Sequence, residues 1–417
     1  MATKTVADID VAGKKVLMRV DFNVPIKDGK VTNDRRIVMA LPTIKHVLAL
    51  GGRLILMSHL GRPAGKGFEE DFSLRPAAER LGELLGKDVV LGPKEVVGAE
   101  TDRLVAGLAD AEVVLLENLR FHPGETMPDK AKKNPQGRLT PEQEKTHQKF
   151  VDALAGLGEV YVNDAFGTCH RKHASMFGVA KAIQAKGGPA VAGFLVEKEI
   201  KYLHEAVADP AKPFVAILGG AKVSDKIKLI SNLLEKVDRI LIGGAMAYTL
   251  LKARGGAVGK CLVEEEKVAE MKSLLEKPGE KILLPCDHVA TDDFDAGKPT
   301  SVAAADLPDG LLGMDIGPAT VKAFSEVIAS AKTIIWNGPM GVFEREEYAA
   351  GTRAIAEAVA KATEAGAVSV IGGGDSAAAV EQMGLEEKMT HISTGGGASL
   401  EYLEGLPMPP IEVLDQK

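Results

Sequence analysis

The stretch PFVAILGGAKVSDK, residues 213–226, decides the fold. FVAIL is apolar at every position rather than at alternate ones, so a strand made from it is covered on both faces. That is the environment of a parallel sheet wrapped by helices. The two glycines that follow suit a tight turn or a close backbone approach to a ligand. A helix starting after Gly220 would place Lys222 and Lys226, four residues apart, on one face beside a terminus that attracts anions. A phosphate site is expected here, although not a Walker A loop, which needs G-x-x-x-x-G-K-[ST].

Working outward, seven more short apolar runs have the same character: VLMRV (16–20), RLILM (53–57), EVVLL (112–116), EVYV (159–162), DRILIG (238–243), KTIIW (332–336) and AVSVI (367–371). They alternate with longer helical patterns, which predicts an α/β protein. Polar or glycine-rich segments follow the eight runs in order: DFN, SHLGRP, ENLRFH, NDAFG, GGAK, GGAM, NGPMG and GGGDS. Any one of them alone reads as a turn. Together they describe a ligand face, because open α/β sheets bind ligands at the carboxyl ends of their strands.

The chain has 417 residues, 45% of them hydrophobic, enough for two or three domains by size. Segment 186–213 starts with GGP, ends with DPAKP and encloses a charged helical pattern near 194–207, which reads as a connecting helix. The expected organisation is two doubly wound, Rossmann-like parallel-sheet domains, residues 1–190 and 208–404, joined by a hinge helix over 191–207. A C-terminal tail, 405–417, returns over a neighbouring surface, and its LPMPPIEV segment reads as non-helical.

Three dispersed cysteines, Cys169, Cys261 and Cys286, argue against a disulfide framework and for a reducing cytoplasm. The N-terminus lacks an apolar signal-like region, and no apolar run is long enough to span a bilayer. The net charge of −7 is uneven. Residues 1–190 carry 28 basic and 24 acidic side chains against 23 and 34 in the remainder. That opposes a general nucleic-acid surface. It fits an anion site in the first half and a cation-assisted polyphosphate site in the second.

In the first half, Arg36, His59, Arg62, Arg120, His170, Arg171 and His173 fall at or just after strand ends. Several arginine forks on one face suit a small ligand carrying carboxylate and phosphate, with Asp21 and Asn23 as acceptors for its hydroxyl. The H-x-x-H at 170–173 lacks further ligands for a zinc shell. In the second half, GGGDSA (372–377) matches a dinucleotide fingerprint, yet Asp375 would repel a pyrophosphate unless a divalent ion intervened. Mg²⁺, commonly held by one or two carboxylates and phosphate oxygens, makes Asp375 a ligand instead. The residues alone leave open a Mg–nucleotide enzyme, a nicotinamide dehydrogenase and a catalytically silent nucleotide-binding protein.

VLMRVDFNVP, SHLGRP, LLENLRFHPGE, YVNDAFGTCHRKHAS, ILGGAKVSDKI, WNGPMGVFE, GGGDS and STGGGASLEYLEG, in this order and over essentially the whole chain, resemble the blocks of the phosphoglycerate kinase family. The resemblance implies a monomeric hinge kinase that moves a phosphoryl group between 1,3-bisphosphoglycerate and Mg-ADP. It implies a glycerate site of Asp21, Asn23, Arg36, His59, Arg62, Arg120 and Arg171. It further implies a nucleotide site of Gly219, Gly220, Lys226, Asn337, Glu344, Gly373, Gly374, Asp375 and Ser376, with Glu344 on the ribose and Asp375 on the Mg²⁺. Arg36, Lys222, Gly395, Gly396 and Gly397 are implied to steady the phosphoryl in flight. Two departures stand out, Cys169 where the family often has alanine and the polar insertion 127–146. Neither is expected to touch a motif position.

Overall fold

The structure is a computed structural model that describes residues 3–134, 136–208, 210–276 and 281–417. The chain divides into two compact units, one of residues 1–200 with 407–417 and the other of residues 201–406.

The first unit is built on a parallel six-stranded sheet: β1 (Lys15–Val20), β2 (Arg53–Met57), β3 (Val90–Leu91), β4 (Val113–Leu115), β5 (Val160–Asp164) and β6 (Ala190–Ala192). The spatial order is β3-β4-β2-β1-β5-β6. Leu17, Met18, Ile55 and Leu56 are all buried, so neighbouring side chains on opposite faces are covered, as continuous hydrophobicity predicts. Helix Arg35–Ala49 turns Ile37, Ala40, Ile44 and Val47 onto that sheet at helical spacing. Each large aliphatic side chain so buried is worth about 1.5–3 kcal/mol. The register also brings Arg36, in the first turn of this helix, to the carboxyl end of β1.

The second unit repeats the plan with β7 (Phe214–Leu218), β8 (Arg239–Ile242), β9 (Ile282–Leu283), β13 (Thr333–Asn337), β14 (Val368–Gly372) and β15 (His391–Ile392). Their order is β9-β8-β7-β13-β14-β15, all parallel. Between β9 and β13 the chain inserts an antiparallel sheet of β10 (His288–Thr291), β11 (Thr300–Val302) and β12 (Leu312–Ile316), which the apolar runs did not reveal. In each unit the strand order reverses beside the first strand, between β1 and β5 and between β7 and β13. Those are the points where doubly wound sheets open a crevice.

Helix Phe194–Ala208 crosses the division, which falls between Ile200 and Lys201. It begins where Asp164 Oδ1 accepts from Leu195 N at 2.9 Å and Val196 N at 3.3 Å. Burial pushes the Asp164 carboxyl up to about 7. Residues 190–192, just before, form strand β6 rather than the start of that helix.

Two local expectations need correction. Pro409–Glu412, within LPMPPIEV, is one short helical turn. Its prolines occupy the first two positions, where no N–H partner is lost and a φ near −65° is already helical. The tail is tied down by Asp415, whose Oδ2 accepts from Ala190 N at 3.0 Å, and by Pro410 O, which accepts from Asn163 Nδ2 at 3.1 Å. The other correction concerns the lysine pair. The helix after β7 spans Ile227–Leu234 and starts at Lys226, not after Gly220, so Lys222 lies on the preceding loop. Asp225 and Ser224 favour turn over helix, and the loop is held from outside by Glu264, whose Oε2 accepts from Ser224 N at 3.0 Å.

Among the described residues no helix is long and apolar enough to cross a membrane. All three cysteines are free, and burial pushes the Cys169 thiol up to about 12, which leaves it protonated and inert.

Candidate functional site

In the first unit the segments after β1, β2, β4 and β5 converge on a basic face. Arg36 Nη1 donates to Asp21 Oδ2 at 3.1 Å and to Asn23 O at 3.1 Å. Asn23 Oδ1 accepts from Gly61 N at 2.9 Å, and Arg120 Nη1 donates to Gly61 O at 2.6 Å. The backbone of Gly61 therefore joins Asn23 to Arg120, and Asn23 in turn is joined to Arg36 and, through it, to Asp21. Arg120 Nε is buried without a partner among the described residues, and its guanidinium is lowered to about 10, first by burial and then by Arg19. An anion facing Arg120 would relieve both penalties. Arg62 stands exposed, outside the bonds that tie the others together.

His59 lies under this face, nearly buried, with Nδ1 3.1 Å from Arg19 Nη2 and 3.9 Å from Asp21 Oδ1. Burial, followed by the charges of Arg19 and Arg120, pushes its pKa well below the usual histidine value. The ring is neutral near pH 7 and accepts from Arg19 at Nδ1, so its proton is on Nε2. The neighbouring His170 is lowered to about 4 by burial and by Arg171, whose Nε donates to His170 Nε2 at 2.9 Å. Its proton is on Nδ1, which is buried and unpartnered among the described residues. The face thus presents arginine forks together with neutral imidazole donors.

Arg19, missing from the expected set, organises the layer beneath. It is fully buried inside β1, donates from Nε to Ser175 Oγ at 2.9 Å, and reaches Val20 O through Nη1. Ser175 Oγ in turn donates to the fully buried Glu125 at 2.7 Å. The signal was present in the sequence, since an arginine inside an otherwise apolar strand has to be paired.

In the second unit Gly220, Glu344 and Asp375 line a cavity of about 270 Å³, walled by Gly244, Pro339 and Met340 among others. The glycines are required by close approach. A Cβ on Gly219 would lie 1.9 Å from Pro339 O, and one on Gly244 would lie 2.5 Å from Gly220 N. Gly220 adopts φ +103° and Gly373 φ +89°, both left-handed conformations that favour glycine. Asp375 is exposed in the first turn of helix Gly374–Gln382, at the carboxyl end of β14. Ser376 is buried, its Oγ accepting from Gly338 N at 2.5 Å, so its hydroxyl holds the turn after β13. Tyr248 and Asp315, which the sequence did not single out, also line the cavity.

Lys226 reaches across to Asn337, donating to its backbone oxygen at 3.2 Å and to its Oδ1. That contact orients the amide and leaves Asn337 Nδ2 as a buried donor with no partner among the described residues. Burial lowers Lys226 to about 8, against the opposing attraction of Asp375 and Asp225. Its charge is present below that value and lost above it. A phosphate held by Lys226 would therefore bind less tightly from pH 7.5 to 9.5, approaching about tenfold per pH unit at the alkaline end, with Mg-ADP as the probe. Lys226→Arg, charged throughout, should flatten the profile, as calorimetric titration at several pH values would show.

Lys222 is exposed on the loop before Lys226, and Gly395, Gly396 and Gly397 follow β15, with Gly397 opening helix Gly397–Leu403. No metal-binding group of three or more His, Cys, Asp or Glu occurs among the described residues. In the H-x-x-H pair, His170 bonds to Arg171, and His173 Nε2 lies 2.9 Å from Asp129 Oδ2. The same contact corrects the reading of the insertion. Asp129, within 127–146, also accepts from Arg171 Nη1 at 3.3 Å, so the insertion does touch a motif residue.

The sequence profile described as phosphoglycerate kinase matches residues 6–406. The chain is 53% identical over 418 residues to the phosphoglycerate kinase of Chloroherpeton thalassium, with 99% of each covered. It is 51% identical over 417 residues to that of Lactobacillus delbrueckii subsp. lactis, with both covered completely. Among solved structures it is similar to phosphoglycerate kinase from Coxiella burnetii, with a TM-score of 0.84 at 39% identity, covering 99% of this chain and 98% of the other.

Proposed function

The chain belongs to the phosphoglycerate kinase family, and from that premise we infer how its residues move a phosphoryl group reversibly between 1,3-bisphosphoglycerate and Mg-ADP, giving 3-phosphoglycerate and Mg-ATP. The observation that carries the reading is the pair of unlike surfaces at the two switch points. One holds arginines, neutral histidines and the Asp21–Asn23 acceptors. The other is a glycine-walled cavity with Glu344 and Asp375 on its lining.

In this reading Arg36, His59, Arg62, Arg120 and Arg171 hold the phosphate and carboxylate of the glycerate, and Asp21 and Asn23 its hydroxyl. Gly219, Gly220 and Gly373–Ser376 let the nucleotide lie against backbone, Glu344 takes the ribose hydroxyls, and Lys226 and Asn337 meet phosphate oxygens. Among the described residues Asp375 belongs to no group of three or more metal-ligating side chains, a donor set that suits an ion arriving with its nucleotide. Mg²⁺ held there with the phosphates would neutralise charge on the transferring group. Towards the acyl phosphate, the attacking group is a carboxylate with no proton to lose, so no general base is needed. Arg36, Lys222 and the backbone N–H groups of Gly395, Gly396 and Gly397 serve by position and charge.

The acyl phosphate is prone to hydrolysis, so transfer has to exclude water. We assign residues 1–190 and 405–417 to the glycerate, 208–404 to the nucleotide, and the helix between them to a hinge that lets a monomer close. Formation of acyl phosphate dependent on both ATP and 3-phosphoglycerate, followed in a coupled assay, tests the reaction; an inactive protein overturns it. Solution scattering should contract when both ligands are present, and an unchanged curve would remove the hinge.

A further inference from the structure

We propose that Asp129, in a segment outside every family motif, is a positioning residue for the glycerate site, holding Arg171 and through it His170. The proposal rests on the function inferred above.

Asp129 is in the first turn of a 3₁₀ helix, Met127–Lys133, whose start is fixed by the fully buried Glu125 and the buried Met127. Its Oδ2 accepts from two directions, from Arg171 Nη1 at 3.3 Å and from His173 Nε2 at 2.9 Å. His173 is 1% exposed, with Nδ1 4.0 Å from Glu125 Oε1, so it forms a fixed base for the carboxylate. Arg171 then donates from Nε to His170 Nε2 at 2.9 Å. Each member sets the next: His173 anchors Asp129, Asp129 orients the guanidinium, and the guanidinium selects the His170 tautomer with its proton on Nδ1.

Two of Arg171's five N–H donors are used in this way, which leaves three for a ligand. Arg171 is 40% exposed, and without Asp129 its long side chain would have to be ordered when the ligand binds. That cost then appears as lost affinity. The opposing effect is repulsion between Asp129 and the bound anion. Asp129 is 45% exposed, so water and salt screen that repulsion, whereas the contact that holds the Nη1 end of Arg171 is lost outright.

The test is steady-state kinetics of the full-length protein with 3-phosphoglycerate and Mg-ATP. Asp129→Ala is expected to raise KM for 3-phosphoglycerate about tenfold, equivalent to about 1.4 kcal/mol. kcat should stay within about threefold and KM for ATP within about twofold. Asp129→Asn keeps an acceptor for His173 without the charge, and should give an intermediate rise of about threefold. It decides the matter if the alanine variant does not fold. A KM for 3-phosphoglycerate that is unchanged or lowered in the folded variants would overturn the proposal. A fall in kcat with both KM values unchanged would also overturn it, since the defect would then lie outside ligand positioning. Failure of the parent protein to form acyl phosphate would instead refute the function itself, so the two failures are distinguishable.

Discussion

Lys222→Ala is expected to lower turnover by about 100-fold or more while leaving the affinity for ADP within a few-fold. Lys222 is exposed on the loop after β7, free of the Asn337 contact that engages Lys226. Its loop is not loose, because Glu264 holds the N–H of Ser224. In the proposed site an ammonium presented in this way contributes little to a ground state bound through glycine backbone and Lys226. It contributes most when negative charge builds on the group in transit, where one well-placed charge is worth about 3–4 kcal/mol. Single-turnover rates and equilibrium titration with ADP separate the two effects. A variant that loses affinity but turns over normally would make Lys222 a second phosphate clamp.

Arg36→Ala should depress kcat by a similar factor, about 100-fold, with a smaller rise in KM for 3-phosphoglycerate. Among the described residues only Nη1 of Arg36 is engaged, by Asp21 and the carbonyl of Asn23. Those two contacts aim the rest of the fork, and Asp21 also lies within 3.9 Å of His59, so the variant disturbs the acceptor side as well. Arg36→Lys should recover only part of the loss, because a point charge lacks the planar fork. Normal turnover with weakened glycerate affinity would reduce Arg36 to a ground-state clamp. The melting temperature should fall as well, since Arg36 is 34% but Asp21 only 9% exposed, and removing Arg36 leaves a largely buried carboxylate without its partner.

Most of the expected residues occur at carboxyl ends of strands because the pattern that reveals a parallel strand also says which end faces the crevice. FVAIL followed by GG, and VSVI followed by GGGD, give both strand and ligand loop from local spacing. Where the local pattern was weak, the reading failed. The antiparallel strands β10, β11 and β12 are short, covered over only part of their length, and carry polar residues such as His288, Thr291 and Asp315. The helix expected after Gly220 yielded to a turn whose anchor, Glu264, is 40 residues away in sequence.

What the sequence determined by itself is the α/β class, two units on parallel sheets, the family and the residue types offered at each strand end. These follow from hydrophobic periodicity, glycine placement and motif order, all short-range properties of the chain. Only the tertiary structure decided how those residues act. It made His59 and His170 neutral donors, through burial beside arginines. It put Arg19 and Glu125 beneath the basic face and brought Asp129 from the insertion onto Arg171. It also divided LGGAKVSDK, with Lys226 half-buried on Asn337 and Lys222 left exposed. Protonation and orientation depend on desolvation and on partners distant in sequence, and neither quantity exists until the chain has folded.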